Sequence, residues 1–211
     1  MAWKEQMVTI PRPGAAAAGE DYVLEGVWQS GADRGAVVAA PHPEYGGSLE
    51  NPVVNEIAFG LYQSGISSLR FNWSGVGASQ GTISSDVRQA DADYRAALEQ
   101  VASTVTGPLV GAGYSFGAAA ALRSALGDAR VQGLVLVAPP VLMIGSLDLA
   151  KFEHPLYVIV GAEDAYAPVD QISEWIGEAP RAHLEVILRA DHFFASGGLG
   201  ELARLVQGAQ F

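Results

Sequence analysis

The sequence predicts an α/β fold: a mostly parallel central sheet, antiparallel strands at its N-terminal edge and helices on both faces. Three observations predict it. After residue 36, short apolar runs alternate with amphipathic helical stretches, the signature of parallel strands joined by helical crossovers. The chain opens instead with two strand-like stretches joined by a loop, with no helix between them. Hydrophobic residues make up 49% of the 211 residues, enough to bury a sheet on both faces.

Taken in order, Met7 to Ile10 is the first predicted strand and Tyr22 to Gln29 the second, in which Tyr22, Leu24 and Trp28 alternate with Val23, Glu25 and Val27. Between them, the alanines at 15 to 18 are flanked by Pro13, Gly14 and Gly19, which favour a loose hairpin loop over a helix. Ala36 to Ala40 reads as a fully buried strand. The Pro- and Gly-rich stretch from Pro41 to Ser48 that follows precludes regular structure. Asn51 or Ser48 can cap the next helix, with Pro52 in its first turn and Val53, Val54, Ile57, Ala58 and Leu61 at helical spacing. Ile66 to Phe71 is a strand that leads into a glycine-rich loop through Gly81. Ser85 can cap a helix from Asp86 to about Ala102. Leu109 to Gly117 reads as a buried strand running into a sharp turn, followed by an Ala-rich helix from Ala118 to Leu126. Val131 to Ala138 is a strand stopped by Pro139-Pro140. Leu156 to Val160 and Leu184 to Leu188 are the last strands, and Val169 to Ile176 and Leu199 to Gln207 the last helices. No repeat or linker interrupts residues 1–211, so one domain is expected, with no lid domain in the short connection from Pro139 to His154.

Gly113-Tyr114-Ser115-Phe116-Gly117 lies between the fifth strand and its helix. A sharp strand–serine–helix turn tolerates only small residues two before and two after the serine, and Gly113 and Gly117 meet that need. The pattern G-x-S-x-G is weak alone: this composition yields roughly 0.2 matches by chance, and a second occurs at Gly77-Ala78-Ser79-Gln80-Gly81. Context separates them, because Ser79 has neither a strand before it nor a helix start after it.

A serine nucleophile needs a base, and the base needs an orienting acid. Of the four histidines, His183 opens a strand, His154 lies at the N-terminal end of one, and His42 comes early in the chain. His192 follows the last strand. Loops after the C-termini of parallel strands converge on one sheet edge, so His192 can reach Ser115. Asp164 follows the strand ending at Val160 and shares that edge. Glu163 is its near rival, whereas Asp191 adjoins His192 too closely to address its far nitrogen. The order Ser, Asp, His is that of α/β-hydrolases.

Taken together, the motifs resemble those of small, lidless bacterial α/β-hydrolases related to dienelactone hydrolase. The resemblance rests on an H-P-x-x-G-G-S loop (His42 to Ser48), R-F-N-x-x-G-V-G-x-S-x-G (Arg70 to Gly81), G-x-S-F-G (Gly113 to Gly117), A-P-P (Ala138 to Pro140) and D-H-F-F (Asp191 to Phe194). It spans roughly residues 36 to 195 and implies the α/β-hydrolase fold with a triad of Ser115, Asp164 and His192. Two departures border the pocket: Ala40 where that group carries a second histidine, and Ser74 where it carries arginine.

An oxyanion hole needs two N–H donors. Phe116 is expected to supply one, and the resemblance points to Glu44 for the other, with His42 or Tyr45 as alternates. The Glu44 carboxylate should then face solvent. His42, Tyr45, Trp73, Val141, Leu142, Met143, Tyr166 and Phe193 are the expected pocket walls, which suit an apolar acyl or alcohol group. The expected activity is hydrolysis of short or medium carboxylic esters through an acyl-enzyme. The same machinery would serve thioesters, lactones such as dienelactones, or acyl peptides, and a silent binding protein on this scaffold is the rival of a different class.

No cofactor or metal is implied: zero cysteines exclude thiolate sites, and no second ligand has suitable spacing to His42. A net charge of −11 argues against nucleic-acid or anionic-membrane partners, leaving a small-molecule ester as the expected partner of a monomer or homodimer. No apolar run reaches the ~18 residues of a membrane helix, and Met1 to Gln6 carries no signal-peptide core, so a cytoplasmic location is expected.

Overall fold

The computed structural model describes residues 4–14, 21–144, 147–177 and 179–211. Among these residues eight strands form one sheet: β1 (Glu5–Arg12), β2 (Tyr22–Gln29), β3 (Gly35–Ala39), β4 (Ser67–Phe71), β5 (Leu109–Tyr114), β6 (Val131–Val137), β7 (Leu156–Gly161) and β8 (Ala182–Ile187). Their spatial order is β1-β2-β4-β3-β5-β6-β7-β8. The β1–β2 and β2–β4 pairings are antiparallel and the rest parallel. This is the α/β-hydrolase fold.

Among the described residues six helices flank the sheet: α1 (Pro52–Gln63), α2 (Val87–Ala102), α3 (Phe116–Ala125), α4 (Val141–Ile144), α5 (Val169–Ile176) and α6 (Leu199–Gly208). The step from β3 to β4 runs one way along the sheet and the step from β4 to β5 runs back. Right-handed crossovers therefore put α1 and α2 on opposite faces. Helix α1 packs with α6 and α2 with α3. Strands β3, β4 and β5 are buried along their whole length; β3 and β5 accordingly read as continuous apolar runs rather than alternating ones, whereas β4 buries Ser67, Ser68 and Arg70 beside Leu69 and Phe71.

Local chemistry moves several boundaries. Strand β1 continues through Pro11, which pairs opposite Val23. The sequence places Pro11 in the following loop, but a proline is tolerated on an edge strand, where its missing N–H faces away from the ladder. The polyalanine stretch at 15 to 18 lies outside the described residues. Asp86, not Ser85, caps α2, its carboxylate accepting the Arg88 N–H, while Ser84 Oγ accepts the Asp86 N–H. Asn51 caps α1 by accepting the Val53 N–H at 2.9 Å. Helix α3 begins at Phe116, directly after the serine, two residues earlier than expected. Helix α4 and a 3-10 turn at Leu149–Lys151 occupy the Pro139 to His154 connection. Both are too short for their periodicity to register in sequence.

The glycine-rich loop after β4 is held by buried polar groups. Asp93 on α2, 1% exposed, accepts the Ser74 N–H at 2.9 Å, the Ser74 hydroxyl at 2.7 Å and the Arg12 Nε–H at 2.8 Å. Ser74 Oγ also lies 2.5 Å from the Tyr22 hydroxyl. Removing the carboxylate leaves the half-buried Arg12 guanidinium and the buried Ser74 N–H and hydroxyl without this acceptor. Asp93→Ala should therefore lower the unfolding free energy by about 3 kcal/mol, read from the urea midpoint. An unchanged midpoint would mean that the loop is held by something else.

Candidate active site

Three loops at the C-terminal edge of the sheet bring Ser115, His192 and Asp164 together. Ser115 occupies the turn between β5 and α3 with φ 55° and ψ −118°, a conformation costly for a residue with a Cβ. The surrounding backbone enforces it. A Cβ on Gly113 would stand 2.4 Å from the Gly117 carbonyl carbon, and one on Gly117 would stand 2.5 Å from both the Ala39 and Ala40 carbonyl oxygens. The bare glycines let β5, the start of α3 and the end of β3 meet backbone to backbone. The Ser115 N–H donates to the Val137 carbonyl at 2.9 Å, tying the turn to β6.

His192 comes from beyond β8, three strands from β5, a lateral distance of about 14 Å at ordinary strand spacing. Its loop closes this distance by leaning back over β7. Gly161, the last residue of β7, makes room: a Cβ there would lie 2.1 Å from the Ala190 carbonyl oxygen. The loop is shaped by Arg189 and Phe194 at positive φ and by Asp191, whose carboxylate accepts the N–H groups of Phe193 and Ala195 at 3.1 Å each. From the other side, the Tyr114 hydroxyl donates to the His192 carbonyl at 2.8 Å. Burial, and secondarily the carboxylates of Asp164 and Asp191, push the Tyr114 pKa up, so the phenol stays a donor across neutral pH.

The polar contacts form a continuous chain. Ser115 Oγ lies 3.0 Å from His192 Nε2, and His192 Nδ1 lies 3.0 and 2.9 Å from the two carboxylate oxygens of Asp164. Because a carboxylate only accepts, Nδ1 carries the proton and Nε2 accepts from the serine hydroxyl. Asp164 Oδ1 also accepts the N–H groups of Tyr166 and Ala167 at 2.8 Å each. Asp164 is 4% exposed and His192 7%, whereas Ser115 is partly open to solvent.

The comparisons with known proteins agree with this architecture. An α/β serine hydrolase homologue from Coxiella burnetii superposes with a TM-score of 0.82 at 26% identity, covering 97% of this chain and 95% of that one. A lidless α/β serine hydrolase from Xanthomonas campestris gives 0.81 at 27% identity, covering 97% and 92%. The profile of the Hydrolase_4 family, described as serine aminopeptidase S33, matches residues 50–147, a span that contains Ser115 but neither Asp164 nor His192. An uncharacterized protein of Rickettsia prowazekii is 30% identical over 171 residues, covering 75% of this chain and 71% of that protein. The chain belongs to that protein's family, among the α/β serine hydrolases.

In this hydrolase the competing residues lie elsewhere or are already engaged. Ser79 is buried, its Oγ accepting the Glu25 N–H at 2.9 Å and donating to the Asn72 carbonyl at 2.8 Å. It pins the glycine-rich loop to β2. Glu163 is exposed and reaches the site only through its backbone, which donates to the Ala190 carbonyl. Asp191 is committed to its own loop. His183 stacks on Tyr157 and His154 lies against Phe152. Among the described residues no group of three or more His, Asp or Glu side chains could hold a metal ion, and no helix is long and apolar enough to cross a membrane.

The loop after β3 forms the opposite wall. Phe116, first in α3, has no carbonyl one turn earlier in the helix to take its N–H. The Glu44 N–H donates to His42 Nδ1 at 3.2 Å, and the Tyr45 and Gly47 N–H groups donate to the His42 carbonyl. The Glu44 side chain is exposed. Trp73, expected as a pocket wall, is only 2% exposed. It donates through Nε1 to the Ala40 and Pro41 carbonyls and supports the His42 loop from below. Val141 and Met143 are partly buried against the core, while Tyr45, Leu142, Tyr166 and Phe193 are exposed around the serine loop, Leu142 fully so. An open recess of about 510 Å³ beside β1 and β2, lined by residues including Met7, Thr9, Val23 and Gln100, contains none of these groups.

Sequence reasoning missed Gly161 and Tyr114. The signal for Gly161 was its place at the C-terminal end of a predicted strand just before Asp164. Gly161→Ala should preserve the fold yet push the His192 loop away, lowering p-nitrophenyl acetate turnover about 100-fold. Turnover and thermal melting measured together check this, and native turnover in the variant would contradict it.

Proposed function

We propose that this hydrolase cleaves carboxylic esters, with Ser115 as nucleophile, His192 as general base and then acid, and Asp164 holding the imidazole. The observation that carries the reading is the unbroken chain from Ser115 Oγ to His192 Nε2, at 3.0 Å, and from His192 Nδ1 to the Asp164 carboxylate, at 2.9 Å. His192 takes the Ser115 proton as Oγ attacks the ester carbonyl. The oxyanion is met by the N–H groups of Phe116 and Glu44, the latter exchanging its contact with His42 Nδ1 for the developing charge. The C–O bond to the alcohol then breaks as His192 Nε2–H protonates the leaving oxygen. A water activated by the same imidazole attacks the acyl-enzyme, releasing the acid and restoring Ser115. Asp164 stabilises the imidazolium in both halves, and its two further N–H donors, from Tyr166 and Ala167, keep it fixed.

A second reading, peptide hydrolysis from an N-terminus, is favoured by the serine aminopeptidase description of the matching family. It predicts that amino-acid p-nitroanilides are better substrates than p-nitrophenyl esters.

Three outcomes test the ester reading. Ser115→Ala should lower ester turnover by about 10³- to 10⁶-fold, whereas Ser79→Ala should retain most of it. Asp164→Asn should cost about 10⁴-fold, the figure known from the serine-protease triad, while Glu163→Gln should cost little. Reversal within either pair overturns the role assigned. The open edge should also limit gain from long acyl chains, since a methylene contributes ~0.8 kcal/mol only when it leaves water. Across p-nitrophenyl esters from acetate to palmitate, kcat/KM should level off or fall beyond roughly six carbons, scaled from that increment. A steady climb to palmitate would contradict an open site.

A further inference from the structure

The described large hydrophobic side chains that remain exposed include Tyr45, Leu142, Tyr166 and Phe193, and the last two form a corner against the proposed base. Tyr166 is 58% exposed and Phe193 64% exposed. Their centroids are 6.2 Å apart at 78°, and they lie 4.7 and 5.3 Å respectively from the His192 imidazole. Exposed aromatic rings lose favourable burial, so two beside one reactive imidazole need a reason.

Neither ring is on a free-swinging segment. The Tyr166 N–H donates to Asp164 Oδ1 at 2.8 Å and its carbonyl accepts the Val141 N–H at 3.1 Å. The Phe193 N–H donates to Asp191 Oδ1 at 3.1 Å. Below them, the Tyr114 and Phe194 rings are buried, and Tyr114 packs on His192. The backbone that carries the two exposed rings is thus fixed by the same hydrogen bonds that shape the loops of the proposed base and acid, and both rings leave free surface toward solvent.

The chemistry decides which part of a substrate meets this corner. In the ester mechanism above, His192 Nε2–H must reach the leaving oxygen, so the alcohol portion lies on the His192 flank and the acyl portion extends elsewhere. Two rings near a right angle offer one face and one edge to a third ring. A planar aromatic group can then stack offset on one and meet the other edge to face, arrangements that contribute beyond area burial. A saturated ring of similar size gains the area term alone.

We propose that Tyr166 and Phe193 form an aromatic notch that selects esters whose alcohol portion carries a planar aromatic ring. The inference rests on the ester-hydrolase reading for the direction of the substrate. It joins a short acyl group, suited to the open edge, to an aromatic alcohol, suited to the notch.

The test compares 2-phenylethyl acetate with 2-cyclohexylethyl acetate. They share the acyl group and an insulated primary alcohol, so carbonyl and leaving-group reactivity match. For the native enzyme, kcat/KM should favour the phenyl ester about tenfold, on the scale of two aromatic contacts. In Tyr166→Leu/Phe193→Leu, or in Phe193→Leu alone if the double variant does not fold, the preference should fall toward unity. Phe59→Leu, which removes an exposed aromatic ring on α1, should leave the ratio as it was. Binding of the same two esters to Ser115→Ala, measured by ligand-observed NMR, should show the same preference without any turnover. A tighter phenyl ester there, with neither ester hydrolysed by the native enzyme, would uphold the notch and overturn the ester reading instead. Equal or tighter binding of the cyclohexyl ester, or a phenyl preference that survives loss of both rings, would overturn the notch.

Discussion

Three backbone segments converge at Ser115 with no room for a side chain between them, and the rest of the edge depends on that contact. Gly113 and Gly117 face each other closely enough that a methyl on either would collide with main-chain atoms. The same approach carries the start of α3 onto the carbonyls that end β3, so Phe116 comes to lie against His42, with ring centroids 4.7 Å apart. One steric condition thus raises the serine, aims the first N–H of a helix and sets the distance to the opposite wall. The left-handed φ of Ser115, of order 1–3 kcal/mol in cost, is held by these contacts and by the hydrogen bond to β6.

A related condition operates three strands away. His192 can meet Ser115 only because its loop crosses the end of β7 where Gly161 presents no side chain. Once there, the loop is fixed from below by Tyr114, the residue before the serine. Strand β5 therefore carries both the proposed nucleophile and a support for its base, so a displacement of the strand moves both together. Asp164 is fixed separately, by two main-chain N–H groups of its own loop, and the imidazole spans the two units. Buried Asp93, with Ser74, Tyr22 and Arg12, performs a similar service for the glycine-rich loop that follows β4.

Much of this was legible in the sequence. Buried parallel strands leave long apolar runs, so most of the sheet and its helices could be read directly. Strand order then selected Ser115, Asp164 and His192, which do meet within hydrogen-bond distance. What escaped depends on neighbours far apart in the chain. Pro11 reads as a strand breaker until β1 is known to be an edge strand. Trp73 reads as a pocket wall until its indole N–H is seen turned down to the Ala40 and Pro41 carbonyls. Gly161 looks like any glycine after a strand, since its importance comes from Ala190, which faces it only after the last strand has paired. The Glu44 N–H is expected to meet an oxyanion, yet no pattern in the residues reveals that His42, two positions earlier, takes it up through Nδ1.

The central claim, that His192 activates Ser115 at the elbow, is tested most directly by reaction with a fluorophosphonate followed by peptide mapping of the adduct. Such a probe forms a stable bond only with a serine whose hydroxyl is deprotonated on attack and whose oxyanion is stabilised. A single adduct on the peptide containing Ser115, lost in His192→Ala, is the predicted result. Modification at Ser79, or labelling of Ser115 that is indifferent to His192, would contradict it.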